Sequence, residues 1–553
     1  MRCVVSLMSK GKLYLHTVSH LKPSQVAYRL WRRLGGATPL CRGHRVKGDP
    51  SCADIGRIPL LQELDFDAVF LRRFSPDDIV RGRIELLNCD TSIDWEKPWL
   101  CEEMSALWEF NLHYCEFILP LAKAACNAGG EKYVESGKDI ISSWISVHPR
   151  SAGGVPWDPY VISMRVVNWL AFYGEAHDTI DEDELFLRKF NDSLYEQYCH
   201  LSIHLEKDIL ANHYLENLKA MILLAAYFDD VETLHLAVAR FVEQVDEQIL
   251  SDGMHFELSP MYQKIMLECL MRVMDVVRTC DSEAHAKLHR SLKSMVDCLY
   301  SLERGIERTP LFNDSGDNVS KGTTSLLRCA ERHFGIEPSF VAELSEGGYC
   351  IFERSVGNAQ VKAVIDVGAP GPAYALGHAH CDMLSFELFY NGRPWVVNCG
   401  TFAYQDPSRL RYKNTDAHNA PRFGDCEQSE CWASFRMARM ARMAGWSRME
   451  NGLEATMVDY RGRSITRRIE FLPEGVLVRD SSSEKCVPLV STVHMAEPFA
   501  FADGVDSVES CYAPEFGAAR TCRQHQVRGV GLVEYFLPVP EECFEQKEFY
   551  EFD

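Results

Sequence analysis

The stretch Gly377–Tyr404, GHAHCDMLSFELFYNGRPWVVNCGTFAY, contains the clearest local fold signal in the chain. Within it, Asn391-Gly392 joins two runs rich in aromatic and β-branched residues, Leu384–Tyr390 and Trp395–Asn398. An Asn-Gly pair between two such runs is typical of a tight β-hairpin, because both residues tolerate a positive φ. The sequence therefore predicts an antiparallel hairpin within a β-rich region.

Further strands are predicted on both sides of this hairpin. The runs with strand character are Tyr349–Arg354, Gln360–Val367, Ser464–Phe471 and Gly475–Asp480. The change from helical to strand periodicity falls at Ser345–Gly348. The C-terminal part of the chain is therefore predicted to be an all-β domain.

Upstream of that change the pattern is helical. Apolar residues recur at three- and four-residue spacing over 105–126, 160–177, 184–204, 212–228, 231–250, 260–279 and 283–303. Short polar, Gly or Pro breaks between these segments favour antiparallel helical hairpins. Leu21–Leu34 predicts a separate basic amphipathic helix with Pro23 near its start. We predict an N-terminal extension (1–95), a helical domain (96–340) and a β domain (341–553).

The composition excludes several classes of protein. The 553 residues are 46% hydrophobic and 25% charged, which is typical of a folded globular protein. The formal net charge of −21 argues against nucleic acid or an anionic membrane as a general partner. The run Met221–Phe228 is far shorter than the roughly 18–20 apolar residues of a membrane span, so no membrane insertion is expected.

Sequence features that are missing also lead to expectations about cellular location and cofactors. The N-terminal residues lack the apolar core and cleavage site of a signal peptide, so we expect a cytoplasmic location, with a periplasmic or secreted one as the alternative. The 21 cysteines include no CxxC pair, which indicates reduced core cysteines. Gly529-Val530-Gly531 has no helix after it, and there is no P-loop, so no organic cofactor is expected.

Four polar clusters lie inside otherwise apolar segments, and they are the candidate functional residues. They are NHYLEN (212–217), ELSPMY (257–262), GHAHCD (377–382) and DAHN (416–419). Two histidines two residues apart, with a third further along, suit either a metal site or acid–base chemistry. Helix capping, core packing and hydrogen-bonded strand ends are the alternatives that spacing alone leaves open.

The second cluster makes a local prediction about a tyrosine. Ser259 is a good N-cap and Pro260 suits the first helical position, so Tyr262 falls in the first turn of a helix. The positive end of the helix dipole, with a nearby cation, would lower the pKa of Tyr262 below its usual value.

Taken together and in this order, the clusters resemble the heparinase II/III family of polysaccharide lyases. The matching stretches are LWEFNLHY (107–114), WDPYVISMRVVNW (157–169), NHYLEN (212–217), DGMHFELSPMYQ (252–263), FNDSGD (312–317), Gly377–Tyr404 and RLRYKNTDAHNA (409–420). The resemblance implies an N-terminal incomplete (α/α) toroid followed by a C-terminal antiparallel β-sandwich. It also implies β-elimination at the uronic acids of an acidic polysaccharide.

The resemblance also implies roles for individual residues. Asn212, with His213 beside it, resembles the group that neutralises the uronate carboxylate, which must be held so that charge can build up on it. Tyr262 resembles the base that takes the C5 proton, and is a candidate acid for the leaving O4. His378 resembles its acid–base partner. His380 and His418 resemble ligands of a structural metal, zinc.

Two positions depart from the family pattern. Gln263 stands where family members often have a histidine after the catalytic tyrosine. Asn398 stands at the metal position that is often an aspartate, and a neutral amide is a poorer zinc ligand than a carboxylate.

Residues for binding the polysaccharide are expected around these clusters. Between 401 and 450 there are eight Lys and Arg against six Asp and Glu, so Arg409 and Arg411 are candidates for a basic wall. Trp157 and Tyr160 are candidates for stacking on sugar rings, and Arg165 for the same face, with helix core as the alternative for the aromatic residues.

Two rival functions stay open at the level of sequence. A glycoside hydrolase on the same scaffold would need two inward carboxylates, for which Glu257 and Glu216 are candidates. A non-catalytic glycan-binding or polysaccharide-assembly protein would keep the fold alone. The glycan itself, whether heparin- or heparan-like or a bacterial exopolysaccharide, is not determined by the sequence.

Overall fold

The computed structural model describes residues 2–97, 99, 103–125, 130–357, 359–499, 501 and 507–540, with side chains from residue 10 onward. The last residues of the predicted β domain, 541–553, lie outside this range. The described chain folds into a helical half followed by a β half.

The helical half is an incomplete (α/α) toroid. Its helices and those before them are α1 Arg2–His20, α2 Pro23–Arg33, α3 Gln62–Asp65, α4 Ala68–Leu71, α5 Pro76–Val80, α6 Ala106–Tyr114, α7 Leu119–Ala125, α8 Glu131–Val147, α9 Pro159–Glu175, α10 His177–Ile180, α11 Glu184–Ser202, α12 Ala211–Tyr227, α13 Val231–Gln248, α14 Pro260–Cys280, α15 Ser282–Glu303 and α16 Thr323–Phe334. A short hairpin, β1 Arg83–Leu86 and β2 Cys89–Ser92, precedes α6.

Helix α12 is the most buried element of this half. Apart from His213, every residue from Ala211 to Tyr227 is buried, because α12 packs against α9, α13 and α14. Side chains from the N-terminal extension, including Leu61 and Ile79, belong to the same apolar core. The predicted helical segments are confirmed, whereas α8 and α16 were not predicted.

The β half is a sandwich of antiparallel sheets. Its elements are β3 Glu343–Leu344, β4 Tyr349–Val356, β5 Ala359–Asp366, β6 Phe386–Tyr390, β7 Arg393–Val396, α17 Arg409–Lys413, β8 Pro421–Phe423, β9 Cys431–Ala433, β10 Arg436–Met437, β11 Arg442–Met449, β12 Gly452–Val458, β13 Ser464–Leu472, β14 Gly475–Ser481, β15 Pro488–Ala496, β16 Ser507–Glu515, β17 Ala518–Val530 and β18 Leu532–Pro538. The larger sheet has the order β16-β17-β15-β7-β6-β5-β4-β3, with β8 beside β15, and the smaller has the order β11-β12-β13-β14-β18.

The predicted hairpin is confirmed at the centre of the larger sheet. Tyr390 pairs with Arg393 across the turn, and Asn391 and Gly392 have φ values of 47° and 81°. Strand β6 and the second half of β7 are buried, so the hairpin is a firm support for the loop that precedes it, residues 377–385. That loop contacts the helical half, where the backbone N–H of Asn313 donates to Asp382.

The two halves meet along the loop that follows α15. The buried guanidinium of Arg308 pairs with the carboxylate of Glu387 on β6 at 2.9 and 3.2 Å. The same carboxylate accepts hydrogen bonds from the backbone N–H groups of Leu311 and Asn398. This contact places the loop 309–317 between the helices and the sheet.

The first two helices form a separate feature at the junction of the halves. The predicted basic helix is confirmed as α2, and α1 precedes it. In the part of the chain that the structure describes, no helix combines the length and apolarity needed to cross a bilayer.

Candidate active site

A cavity of about 870 Å³ lies between the toroid, the loops of the larger sheet and the α1–α2 pair. Its lining includes Asn212, His213, Tyr262 and His378. These are the four residues that the sequence analysis predicted to be catalytic. Although 166 residues separate the first from the last in sequence, the fold brings them to one space.

Three of the four polar clusters lie beside or contain a non-glycine residue in the left-handed region of φ. Leu210 and Ala211 have φ of 65° and 53° before Asn212, and Leu258 has 56° before the start of α14. Asn313 and Leu384 have 53° and 62° in the two loops that face these helices. Backbone of this kind is costly and concentrates at functional sites.

The start of α12 contributes two polar side chains to the cavity. Asn212 is buried, and its Nδ2 donates to Oε2 of Glu257 at 2.8 Å, while its Oδ1 has no partner among the described residues. His213 Nδ1 lies 2.9 Å from Oε1 of Glu206, and the side chain of His213 is 29% exposed. Burial favours the neutral ring, but the Glu206 carboxylate outweighs it and raises the pKa of His213. His213 is therefore more cationic at neutral pH than an isolated histidine.

The start of α14 positions Tyr262 as predicted. Ser259 Oγ accepts the Tyr262 backbone N–H at 3.2 Å and donates to the carbonyl of Asp314 at 2.6 Å. The Tyr262 hydroxyl lies 3.1 Å from the hydroxyl of Tyr404, and its ring centroid lies 4.1 Å from that of His378.

The predicted direction of the pKa shift at Tyr262 is wrong. Burial, followed by the charge of Glu257, raises the pKa of Tyr262, and the cation at Arg409 opposes this only weakly. Burial also raises the pKa of Glu257. The burial of Tyr262 determines the direction of the shift, so Tyr262 is a neutral phenol in the resting site.

Asp314 is the centre of the site, and the sequence analysis did not identify it as a functional residue. Its Oδ2 lies 2.8 Å from His378 Nδ1, and its Oδ1 lies 2.8 Å from His380 Nε2. Arg409 contacts both oxygens, at 2.6 and 2.7 Å, and Thr401 donates to Oδ1. Burial disfavours the carboxylate, but Arg409 and the two histidines hold the pKa of Asp314 well below its usual value.

The only sequence signal for Asp314 was its place in the polar run FNDSGD. The run alone gave no indication of a role for Asp314, because its histidine partners are more than 60 residues away in sequence.

Two predicted sugar-binding arginines are buried instead. Arg165 is fully buried, where it bonds to Gln197 at 2.9 Å and to the carbonyls of His113 and Pro156. Arg409 is 1% exposed and is paired with Asp314. Both predictions are corrected, because a guanidinium saturated by buried partners is not available to a polysaccharide.

Of the remaining predicted binding residues, one lines the cavity and two do not. Tyr160 lines the cavity, with its ring centroid 4.5 Å from that of His213. Trp157 is buried in the helical core and does not line the cavity, which corrects its prediction. Arg411 is exposed near Cys511, outside the lining, which corrects the prediction for Arg411 as well.

The structure changes one of the three predicted metal ligands. His380 and His418 lie together, but the third group beside them is Asp382, with the three candidate ligand atoms within 4.8 Å of one another. Asn398 is not a ligand here, because its amide exchanges hydrogen bonds with Ser385 and accepts one from the backbone of Asn419.

The three residues fit a zinc ion chemically. His380 Nδ1 and His418 Nε2 face each other at 3.3 Å, and the buried Asp382 Oδ1 beside them has no hydrogen-bond partner among the described residues. Burial lowers the pKa of His380 to about 3 and that of His418 well below its usual value, so both rings are neutral. Neutral imidazoles with one carboxylate are an ordinary zinc donor set.

Gln263 has a structural role at the position where the family pattern often has histidine. It is fully buried, its Oε1 accepts the backbone N–H of His255 at 2.6 Å, and its Nε2 donates to the carbonyl of Gly253. It fastens the loop before α14 and does not line the cavity.

The two carboxylates predicted for a hydrolase, Glu257 and Glu216, do not meet in the cavity. Glu257 lines the cavity, but Glu216 is paired with Lys219 inside the helical core and is absent from the lining.

Comparison with known proteins agrees with this architecture. Two family models match adjoining parts of the chain, "Heparinase II/III N-terminus" over residues 67–337 and "Heparinase II/III-like, C-terminal" over residues 338–496. Among solved structures, a heparinase III has a TM-score of 0.64 at 15% identity, covering 90% of this chain and 88% of its own. A mutant heparan sulfate lyase HepC from Pedobacter heparinus has a TM-score of 0.57 at 18% identity, with 91% and 87% covered.

Curated relatives are similar over part of their length. A heparin-sulfate lyase from Pedobacter heparinus is 23% identical over 349 residues, which are 58% of this chain and 52% of the relative. A heparin-sulfate lyase from Bacteroides thetaiotaomicron is 20% identical over 380 residues, or 61% and 54%. The chain thus spans about half the length of the curated relatives it matches. With both family models matched in order across the toroid and the sandwich, the chain belongs to the heparinase II/III family.

Proposed function

We propose that the protein is a polysaccharide lyase that cleaves a uronic-acid-containing acidic polysaccharide by β-elimination. One observation carries this proposal: Asn212, His213, Tyr262 and His378 line one cavity between the toroid and the sheet. The activity in the names of the curated relatives supports it.

Asn212 and His213 neutralise the substrate carboxylate. The Glu206 carboxylate raises the pKa of His213, so the ring supplies positive charge at the cavity wall. Asn212 adds an amide that Glu257 holds in place. A cation and an amide at this position stabilise the charge that builds up as the C5 proton leaves.

Proton transfer falls to His378 and Tyr262. Asp314 holds His378 through Nδ1, so Nε2 is the nitrogen that faces a substrate, as in other carboxylate–histidine pairs. The raised pKa makes Tyr262 a proton donor to the leaving O4 in preference to a resting base. His378 takes the C5 proton, the C4–O4 bond breaks as the C4=C5 double bond forms, and Tyr262 protonates O4. Return of the proton from His378 to Tyr262, whose ring centroid lies 4.1 Å away, restores both groups for the next turnover.

One assay separates the proposal from its rivals. The purified chain is incubated with a panel of uronate polysaccharides, both heparan-like and bacterial, and ultraviolet absorbance and new reducing ends are followed together. A lyase gives both signals, because its product contains a conjugated unsaturated uronate. A hydrolase gives reducing ends alone, and a glycan-binding or assembly protein gives neither signal.

We further propose that His380, Asp382 and His418 hold a structural zinc ion. Bound there, the ion would fix the loop that carries His378 and stabilise the folded state. We expect stoichiometric zinc by elemental analysis, and a lower melting temperature after chelation and in His418→Ala. An exposed-histidine variant, His177→Ala, is the control. Protein without metal, whose melting temperature does not respond to chelator, would contradict this assignment.

A further inference from the structure

The α1–α2 pair (residues 2–33), here called the arm, forms part of the wall of the candidate active site. Both family models begin beyond it, since the first starts at residue 67. Seven arm side chains nevertheless line the cavity: Tyr14, Thr17, Val18, Leu21, Gln25, Arg29 and Arg33. The arm therefore contributes to the space that also contains Tyr262.

Contacts at both ends fix the arm across the cleft. On the sheet side, Trp432 Nε1 donates to Thr17 Oγ1 at 3.0 Å, and His20 Nε2 lies 2.8 Å from the carbonyl of Ala438. On the toroid side, Arg32 pairs with Asp208 at 2.6 Å and Lys22 pairs with Glu247. The arm thus connects the two halves directly above the cavity.

Two arginines of the arm face the cavity with little to neutralise them. Arg29 and Arg33 are four residues apart on α2, so they share a helix face. Arg29 Nε lies 4.0 Å from the Asp208 carboxylate, which is already paired with Arg32 at 2.6 Å, and Arg29 Nη2 donates to the Asp208 carbonyl at 3.3 Å. Arg33 makes no side-chain ion pair or hydrogen bond with any residue that the structure describes.

The other charges of the described lining are largely satisfied. Lys321 Nζ lies 3.7 Å above the ring of Phe70, and Arg436 stacks on Tyr14 at 4.9 Å. Of the lining acids, Glu116 pairs with Arg73 and Glu268 with Arg272, and Glu257 holds Asn212. Arg29 and Arg33 are therefore two exposed cations of the lining that share one helix face and retain N–H groups for a ligand.

We propose that Arg29 and Arg33 form a subsite for an acidic group on a second sugar of the polysaccharide, distinct from the uronate at Tyr262. This inference rests on the proposed lyase function. The two roles belong to different elements, because the carboxylate at the reacting sugar is met by α12 and this second group by α2. Guanidinium groups suit carboxylate and sulfate alike, since both accept paired N–H donors.

The test compares the full-length chain with its Arg29→Ala/Arg33→Ala double variant. We expect kcat/KM on a long uronate polymer to fall about tenfold or more, mainly through KM, because binding away from the reacting bond is uniform binding. The KM of the variant should also depend less on salt than that of the wild type. Arg45→Ala, an exposed arginine outside the lining, is the matched control and should change neither value.

A disaccharide substrate makes the test sharper. A disaccharide of one uronate and one uncharged sugar presents no second acidic group to the arm, so its kcat/KM should be equal in wild type and variant. Loss on the disaccharide as large as that on the polymer, or an unchanged KM on the polymer, would overturn the subsite. Matched polymers with and without sulfate identify the group: equal loss on both indicates carboxylate, and loss on the sulfated polymer alone indicates sulfate.

The two proposals fail in different ways. Wild-type protein that gives no ultraviolet product with any uronate polymer contradicts the lyase function. Retention on immobilised uronate polymer then still tests the arm, because the subsite predicts weaker retention of the double variant than of the wild type. Equal retention contradicts the subsite whatever the catalytic result.

Discussion

Tyr262 illustrates how the surroundings of a side chain decide which proton-transfer role it takes. Burial and the charge of Glu257 favour the neutral phenol, although the residue lies in the first turn of a helix. A neutral phenol donates a proton readily and accepts one poorly. The histidine held by Asp314 is the better acceptor of the pair.

Tyr262→Phe should therefore keep the fold and lower turnover by about 10²–10⁴-fold, the range for loss of a general acid or base. Initial rates of ultraviolet product and the melting temperature measure the two effects. Tyr404→Phe removes the neighbouring hydroxyl, 3.1 Å away, and should cost far less activity. Near-normal elimination by Tyr262→Phe would show that another group protonates O4.

His213 gives a prediction for pH dependence. The Glu206 carboxylate raises the pKa of His213 above its value of about 6.5 in the unfolded chain. The stabilisation from this pair is therefore fully present below about pH 6.5 and is lost as pH rises through the folded pKa. His213→Gln should lower the melting temperature more at about pH 5.5 than at about pH 9. A difference that is constant or larger at high pH would contradict the pair.

At the scale of elements, the sequence predicted those helices and turns that are determined by residues close together in the chain. The Asn-Gly turn, the Ser-Pro start of α14 and the repeating apolar faces of the toroid helices all act within a few residues, so they were visible in the sequence. The short strands β8, β9 and β10 have two or three residues each and too little alternation to recognise. The longer strands β11, β12 and β15 to β18 were not predicted either.

The site residues likewise fall into those that sequence motifs identified and those that only the tertiary fold reveals. The motifs identified Asn212, His213, Tyr262 and His378, but not Asp314 or Glu206, because pairing between distant segments is a property of the tertiary fold. The same limit explains the wrong predictions for Arg165 and Arg409. An arginine in a polar motif gives no indication of whether its partners will be buried protein or a ligand.

The N-cap of α14 offers a test at this scale. Ser259→Ala removes the acceptor of the Tyr262 N–H and the donor to the Asp314 carbonyl. We expect a loss of about 1–2 kcal/mol in the free energy of unfolding, the upper range for one cap, because both contacts are buried. Ser282→Ala, at an exposed position beside the Asp281 cap of α15, should change stability by under about 0.5 kcal/mol in urea unfolding.

At the scale of the whole molecule, the two halves are joined by buried charge as well as by apolar contact. Glu387 on the sheet receives Arg308 and two backbone N–H groups from different segments. Removal of one member of such a pair leaves the other charge buried without compensation. The contact therefore links the stability of the toroid to that of the sandwich.

Glu387→Gln should lower the free energy of unfolding by about 3–5 kcal/mol, which denaturant unfolding would measure. Glu534→Gln, which removes an exposed carboxylate paired with Arg479, is the control and should cost no more than about 1 kcal/mol. Equal effects of the two substitutions would contradict the buried pair as the connection between the halves.

Asp314 presents one oxygen to the histidine of the cavity and the other to the histidine of the metal cluster. Arg409 donates to both oxygens as well, and a guanidinium has donors only. An asparagine at this position would turn an N–H group toward one of the two Arg409 donors, whichever way it is turned. The site thus requires two equivalent acceptor oxygens at position 314, and a side chain of the same shape with one donor does not meet that requirement.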